Sequence, residues 1–270
     1  MNKSLDIAWK SLNKAKEELC GDTVEIIRAE DSDIIVLSDG MGSGVKANIL
    51  STLTTKIMGT MLKNGASIEE CVTTVAKTLP VCQTRQVAYS TFSVLQVYKN
   101  GEALLLEYDT PGGILIRDGH HVKVPFTVRE IEGKILREYR FQVRSGDYYI
   151  MMSDGVIHSG VGIHNAFGWS YSKIVEYVEH LCEENISSSR LMSRISNKCN
   201  ALYDGKPGDD TTVITIKVTE PKTVNLFTGP PLDKSQDMCV METFMGTPGS
   251  HIVCGGTSAN IVSRYLNKPI

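Results

Sequence analysis

The stretch from Tyr89 to Met152 constrains the fold most, because nearly all of it consists of short β-branched and aromatic segments typical of strands. Two dipeptides within it, Asn100-Gly101 and Asp118-Gly119, are typical of tight hairpin loops. Consecutive hairpins connect antiparallel strands, so this stretch predicts antiparallel sheet and not a parallel βαβ core. The strands predicted here span residues 91–97, 103–108, 114–117, 122–124, 138–143 and 148–152.

Helical periodicity appears on both sides of this strand-rich stretch. Apolar side chains recur there at intervals of three and four residues, which places them on one face of a helix. One of these segments begins with Ser67 and has Glu70 three positions later, the spacing of a capping box. The predicted helices span residues 49–62, 67–79, 172–182 and 188–202.

Further strands are predicted outside the central stretch. Residues 24–29 and 33–38 form a hairpin in this interpretation, and residues 212–218 form a later strand. Residues 4–11 alternate and favour a strand, although residues 11–19 fit a short helix equally well. Strands grouped in this way, with pairs of helices beside them, predict an α+β protein in which two antiparallel sheets are covered by helices on the outside.

The last part of the chain has a different pattern. Residues 221–270 predict a small βαβα appendage, with strands over 223–227 and 251–254 and helices over 233–245 and 258–266. A sheet of two parallel strands is too small to be stable alone. We therefore expect a main domain over residues 1–220 and a C-terminal module that docks on it, pairs with a partner, or is an incomplete part of a larger domain.

Composition excludes several classes of protein. The 270 residues carry a formal net charge of −3 with both signs interspersed, so nucleic acid and anionic membranes are not expected as partners. No segment approaches the roughly 18 consecutive apolar residues of a membrane span, and the first residues lack the apolar stretch of a signal peptide. Seven cysteines without a Cys-x-x-Cys pair indicate reduced thiols. We expect a cytoplasmic protein.

Acidic residues stand at the ends of several predicted strands. Mg²⁺ and Mn²⁺ take oxygen ligands and keep several waters, so a few carboxylates gathered from distant strand ends suffice to bind them. The alternative for each Asp-Gly is a plain hairpin turn. Asp39 departs from that alternative, because its strand leads into a helix and the glycines after it allow a close approach of backbone to a ligand. The segments concerned are Gly21-Asp22, Ser38 to Gly44, Ser153-Asp154-Gly155 and Gly208 to Thr212.

Other phosphate-handling devices do not fit the sequence. The glycines at 40, 42 and 44 differ from the dinucleotide-binding fingerprint, which has its third glycine later. There is no Cys-x5-Arg loop, no Gly-x-Ser-x-Gly elbow and no Gly-x4-Gly-Lys-Ser/Thr loop.

In order and rough spacing, the four acidic segments resemble those of the metal-dependent protein phosphatases of the 2C type, and most closely those of the bacterial SpoIIE-like branch. The resemblance covers roughly residues 4–218. It implies a four-layer αββα sandwich with two or three Mn²⁺ or Mg²⁺ ions in a cleft at one edge of the paired sheets. It also implies a phosphoserine or phosphothreonine protein as substrate, attacked directly by a metal-activated water.

The resemblance also implies roles for individual residues. Asp39 would bridge two metal ions, and the carbonyl of Gly40 would bind one of them. Asp154 and Asp209 would hold the other ion from the opposite sheet, so that Asp39, Asp154 and Asp209 form the catalytic set. Asp22 would contact the metals directly or through water.

Three further residues lie close to this set in the sequence and bear on the predicted metal site. Asp210 ranks below Asp209 as a ligand, because relatives vary at its position. Met41 follows the Asp-Gly where eukaryotic relatives have a histidine, which excludes a histidine general acid at that place. Of the histidines just past Asp154, only His158 is near enough in sequence to matter, and most such histidines are solvated loop residues.

Two cations are candidates for contacts with substrate phosphate. Lys46 follows the glycine-rich segment, although an exposed helix lysine is the simpler interpretation. Arg85 lies between the second predicted helix and the next strand, and its guanidinium offers a bidentate fork.

The sequence leaves the exact function open between three alternatives. The first is a phosphoprotein phosphatase, the second a regulatory module that binds metal or a partner without turnover, and the third a phosphatase of small metabolites. The expected partners are a phosphorylated protein substrate and, through residues 221–270, a second copy of the chain or a regulatory protein.

Overall fold

The structure, a computed structural model, describes residues 3–79, 90–164 and 166–269. The chain divides into two compact units, Met1–Glu220 and Pro221–Ile270. The strands of the first unit are β1 (Ser4–Leu12), β2 (Asp22–Arg28), β3 (Ser32–Gly40), β4 (Ser90–Tyr98), β5 (Glu102–Tyr108), β6 (Ile114–Arg117), β7 (His120–Val122), β8 (Phe126–Ile131), β9 (Lys134–Gln142), β10 (Tyr148–Met152) and β11 (Thr211–Thr219). Its helices are α1 (Gly44–Lys63), α2 (Ile68–Thr78), α3 (Asp154–Ile157), α4 (Tyr171–Cys182) and α5 (Ser188–Leu202).

These strands form two antiparallel sheets. The six-stranded sheet has the order β2-β3-β4-β5-β9-β8, and the five-stranded sheet has the order β1-β11-β10-β6-β7. The hairpin loops predicted at Asn100-Gly101 and Asp118-Gly119 join β4 to β5 and β6 to β7. In the second loop both residues have positive φ, 51° and 81°, as a type I′ turn requires.

The burial pattern of β3 shows how the layers stack. Ile34 and Val36 point into a core shared with Met58 of α1 and Val72 of α2. Ile35 and its neighbours on the same face point into a second core between the two sheets. Since both faces are covered, β3 reads as a continuous apolar run instead of an alternating one.

A third core covers the other side of the five-stranded sheet. Ile150 of β10 packs there with Ile174 and Val178 of α4 and with Leu191 and Ile195 of α5. Helices thus lie on the outer face of each sheet, and the predicted four-layer αββα sandwich is confirmed.

The structure corrects several predicted elements. Strand β8 was not predicted, and β9 begins at Lys134, four residues earlier than expected. The two strands meet at a tight turn in which Glu132 and Gly133 have φ of 50° and 71°. A Glu-Gly pair is a weak hairpin signal. Strand β8 lies at the sheet edge with Phe126 and Val128 exposed, and its apolar residues form no continuous run.

Smaller corrections concern short elements. The strand predicted over 122–124 is β7, which ends at Val122. The single helical turn α3 was not predicted, because four residues are too few to show helical periodicity. The helical alternative for residues 11–19 is wrong, since β1 continues to Leu12 and is followed by turns.

The second unit contains two parallel strands, β12 (Val224–Thr228) and β13 (Ser250–Cys254), and two helices, α6 (Asp237–Gly246) and α7 (Gly256–Leu266). A short 3-10 turn, Lys234–Gln236, precedes α6. Phe227, Met241 and Ile261 form its small core.

Among the residues that the structure describes, no helix is long and apolar enough to cross a membrane. The six cysteines in this part of the chain are free thiols.

Candidate metal centre

The four acidic segments lie where strands of the two sheets end. Asp22 is the first residue of β2, and Asp39 stands directly opposite it near the end of β3. On the five-stranded sheet, Asp154 begins α3 immediately after β10, and Asp209 lies two residues before β11. The antiparallel register of each sheet therefore brings residues from distant parts of the chain to one edge of the sandwich.

A cleft of about 220 Å³ joins the two sets of carboxylates. Asp39, Gly40, Asp154 and Asp209 all line it. Asp109 lines it as well, from the loop after β5, and was not among the predicted site residues. Its segment, Tyr108-Asp109-Thr110-Pro111, shows that another strand ends in an acidic residue, the same signal that marked the other four segments.

Gly40 is required by the close approach of α1. A Cβ at this position would collide with the carbonyl oxygen of Ala47 in the first turns of that helix. The backbone N–H of Gly40 donates to the carbonyl oxygen of Gly21 at 3.1 Å, which ties the end of β3 to the segment before Asp22. Asn48 of α1 donates to the carbonyl oxygen of Cys20 at 2.8 Å. The start of α1 and both acidic strand ends are thus fixed together.

Asp22 links the two sheets. It is 5 % exposed, and its Oδ2 accepts a hydrogen bond of 2.7 Å from Ser153 Oγ, which lies beside Asp154. Ser153 Oγ in turn accepts from the N–H of Thr212 at 2.9 Å. The second oxygen of Asp22, Oδ1, is buried and has no hydrogen-bond partner among the described residues. A buried carboxylate oxygen without a partner is costly, and a bound cation would satisfy it.

The carboxylates perturb one another. Burial, with the charges of Asp22 and Asp154 next, raises the pKa of Asp39 to about 9. Burial also raises the pKa of Asp22 to about 7, although hydrogen bonds from Thr212 and Ser153 oppose the shift. The pKa of Asp154 is raised by burial and by Asp209. Each of these carboxylates disfavours the negative charge of its neighbours, and a bound divalent cation would neutralise that charge. The residues present therefore fit the expected Mg²⁺ or Mn²⁺ ions.

Asp210 has a structural role that the motif did not reveal. It is buried, and its two oxygens accept hydrogen bonds from the backbone N–H groups of Lys14 and Gly21, both at 2.9 Å. It therefore fixes the loop between β1 and β2 that leads into Asp22. Each of its oxygens accepts one of these hydrogen bonds, and the ranking of Asp210 below Asp209 as a ligand stays a prediction.

Asp209 has a more open environment. Its Oδ1 lies 3.5 Å from Lys14 Nζ, and its side chain is 39 % exposed. Ligand atoms of Asp154, His158 and Asp209 all lie within 4.8 Å of one another. His158 is therefore part of the acidic cluster, whereas His164 lies 2.8 Å from Asp204.

The sequence also predicted two contacts with substrate phosphate, Lys46 and Arg85. Lys46 is exposed in the first turn of α1, next to the exposed Val45. Arg85 lies outside the described residues. Both assignments stay predictions.

Comparison with known proteins shows a family for this chain. The family model of Stage II sporulation protein E (SpoIIE) matches residues 30–219. Stage II sporulation protein E of Bacillus subtilis (strain 168) is 23 % identical over 197 residues, which are 67 % of this chain and 22 % of that protein. The chain therefore spans about a fifth of the length of this relative.

Solved structures show the same fold. The PP2C phosphatase domain with a fragment of the regulatory domain of SpoIIE from Bacillus subtilis is 18 % identical, with a TM-score of 0.67 over 82 % of this chain and 65 % of that one. RsbX in complex with magnesium is 17 % identical, with a TM-score of 0.56 over 80 % of this chain and 96 % of that one. Because the family model matches more than half of the chain, the chain belongs to the SpoIIE family of PP2C-type phosphatases.

Proposed function

We propose that this chain hydrolyses phosphoserine or phosphothreonine in a protein substrate, with two or three Mn²⁺ or Mg²⁺ ions as cofactors. The ligands would be Asp22, Asp39, the carbonyl oxygen of Gly40, Asp154 and Asp209. The observation that carries the proposal is the buried Oδ1 of Asp22, which has no hydrogen-bond partner in the described part of the chain and lies within a group of carboxylates that raise one another's pKa. When bound, the ions would activate a water molecule and neutralise charge on the phosphoryl group.

The residues of the chain hold this centre rather than attack phosphorus themselves. Asp22 and Asp39 approach it from one sheet, and Asp154 and Asp209 approach it from the other. Ser153 keeps Asp22 in place through its 2.7 Å hydrogen bond. Ligands on two rigid sheets can hold a fixed geometry, which suits a reaction that depends mainly on positioning and charge.

Cys20 is the thiol nearest to this centre in sequence, and it does not suit a nucleophile. Burial, followed by the charges of Asp22 and Asp210, raises its pKa to about 12. Since the thiolate is the reactive form, this thiol is inert near neutral pH. A mechanism with water as the nucleophile is consistent with that.

Hydrolysis of p-nitrophenyl phosphate and of a phosphoserine peptide, with Mn²⁺ or with a chelator, tests the proposal on the native chain and on Asp39→Asn. We expect Mn²⁺-dependent turnover that the substitution abolishes. Asp204→Asn is the matched control, because Asp204 is an exposed carboxylate that pairs with His164. Turnover that persists in chelator, or in Asp39→Asn, would contradict the proposal.

The same assay separates the alternatives. Metal-dependent thermal stabilisation without turnover would favour a binding module, and turnover of small phosphate esters but of no phosphopeptide would favour a metabolite phosphatase. We propose that residues 1–220 carry the activity in the cytoplasm and that residues 221–270 serve pairing with a second copy or with a regulatory protein. The proposed pairing role of residues 221–270 is tested by removing them and measuring the mass of the remaining chain in solution.

A further inference from the structure

His158 is held one helical turn after Asp154. The backbone N–H of His158 donates to the carbonyl oxygen of Asp154 at 2.9 Å, the spacing of a single α-helical turn. Side chains four residues apart on a helix lie on the same face. His158 Nδ1 accordingly lies 3.7 Å from Asp154 Oδ2.

Asp209 completes a group of three from a different part of the fold. The ligand atoms of Asp154, His158 and Asp209 lie within 4.8 Å of one another. Two ligand atoms that each lie about 2.1 Å from one ion can be at most about 4.2 Å apart. To bind one ion, the ligand atoms of this group therefore need to move closer together by a few tenths of an ångström. Its side chains are 45 %, 52 % and 39 % exposed, which leaves them free to make that adjustment.

This group differs chemically from the buried part of the centre. Asp22 and Asp39 offer only oxygen, which suits Mg²⁺ and Mn²⁺ alike. His158 offers an imidazole nitrogen, and nitrogen ligands favour first-row transition metals over Mg²⁺. We propose that Asp154, His158 and Asp209 form an outer metal site of mixed nitrogen and oxygen ligands that prefers Mn²⁺ to Mg²⁺. This inference rests on the proposed function, since it shares Asp154 and Asp209 with the dimetal centre.

An ordinary ion pair between His158 and Asp154 is the simpler alternative. The pair of His164 and Asp204 shows that arrangement in the same region of the chain, with a hydrogen-bonding distance of 2.8 Å to one carboxylate. At 3.7 Å, His158 is beyond hydrogen-bonding distance of Asp154, and it has two carboxylates beside it instead of one. That geometry leaves room for an ion between the three side chains.

Pulsed EPR of bound Mn²⁺ tests the nitrogen ligand directly. The untagged full chain is loaded with Mn²⁺, and the ¹⁴N coupling of a coordinated imidazole is measured in the native protein, His158→Asp and His164→Ala. We expect the coupling in the native protein and in His164→Ala, and its loss in His158→Asp, which keeps an all-oxygen site. Equilibrium dialysis should show that the ratio of Mn²⁺ to Mg²⁺ affinity falls about tenfold or more in His158→Asp.

Two outcomes would overturn this site. One is native protein that binds Mn²⁺ without a ¹⁴N coupling, and the other is a coupling or an affinity ratio unchanged in His158→Asp. Either leaves the proposed phosphatase activity intact, provided that Mn²⁺-dependent turnover is still lost in Asp39→Asn. Failure of the native chain to bind Mn²⁺ at all would overturn the metal-dependent function together with this site.

Discussion

Asp22 and Asp39 stand directly opposite each other on the neighbouring antiparallel strands β2 and β3. Like charges in directly opposed positions repel, and Asp22 is almost fully buried. In the metal-free protein the pair is therefore most stable when at least one carboxyl group carries a proton. A divalent cation removes the same repulsion without the proton, so protons and metal compete for this pair.

The first prediction concerns pH. The metal-free protein should lose stability as the pH rises from about 4 to about 9. The pKa is raised from 3.8 to about 7 for Asp22 and to about 9 for Asp39 in the folded chain. Between the unfolded and folded values the folded state binds more protons, so raising the pH favours unfolding. Thermal unfolding in chelator should give a melting temperature that falls across this range.

Two comparisons control this prediction. Asp39→Asn removes one titrating group, so its melting temperature should depend less steeply on pH. Added Mn²⁺ should stabilise the native chain more at high pH than at low pH, because protons no longer compete for the carboxylates. A melting temperature in chelator that rises or stays constant over the range would show that the pair is not strained by its charge.

The second prediction concerns Asp210 as a positioning residue. An amide has one oxygen and cannot accept from both Lys14 N and Gly21 N as Asp210 does at 2.9 Å. Asp210→Asn should therefore lower the free energy of unfolding by about 1–3 kcal/mol. It should also weaken Mn²⁺ binding, since the loop that leads into Asp22 loosens.

Chemical denaturation and equilibrium dialysis measure the two effects of Asp210→Asn. Asp204→Asn removes an equal charge from an exposed site and should change neither. If Asp210→Asn abolished Mn²⁺ binding with no loss of stability, Asp210 would be a metal ligand and not a positioning residue.

The third prediction concerns Cys20. Because burial and nearby carboxylates raise its pKa to about 12, the thiol takes no part in the reaction. Cys20→Ala should keep kcat/KM for the phosphoserine peptide within the same order of magnitude as the native chain. A loss of several orders of magnitude, with Mn²⁺ binding unchanged, would assign Cys20 a chemical role.

The sequence predicted the elements whose signals are local. The capping box of α2 is one example, since Ser67 accepts from the N–H of Glu70 and the Glu70 side chain accepts from the N–H of Ser67. The apolar run of β3 and the hairpin turn at Asp118-Gly119 are others. The weak edge strand β8 was missed, because it is only six residues long and its turn, Glu132-Gly133, is a weak hairpin signal.

The candidate site, too, could be predicted only in part. The acidic segments could be located by their position at strand ends, and Asp22, Asp39, Asp154 and Asp209 do lie at one edge of the sandwich. The supporting contacts could not be predicted, because they join residues far apart in the chain. Asp210 and Gly21 are 189 positions apart, and Ser153 and Asp22 are 131 positions apart. Such contacts depend on the register of both sheets and leave no local pattern.

The last prediction concerns the close approach between the acidic segment that contains Gly155 and the one that contains Asp210. A Cβ on Gly155 would collide with the carbonyl oxygen of Asp210. The Tyr203 hydroxyl also fixes the backbone of Gly155, because it donates to the carbonyl oxygen of Gly155 at 2.7 Å. Gly155→Ala should therefore separate Asp154 from Asp209. We expect it to cost about 1–3 kcal/mol of stability and to weaken Mn²⁺ binding.

Gly208→Ala is the matched control for Gly155→Ala. It lies in the same region, but a Cβ there would meet the Tyr203 ring at 3.4 Å, which is an ordinary contact. Thermal unfolding and Mn²⁺ binding should therefore stay near the native values in Gly208→Ala. Because backbone atoms of Asp210 cannot turn aside as a side chain can, Gly155→Ala has no simple way to relax. A Gly155→Ala protein that unfolds and binds Mn²⁺ like the native chain would show that the two segments approach each other less closely than the structure describes.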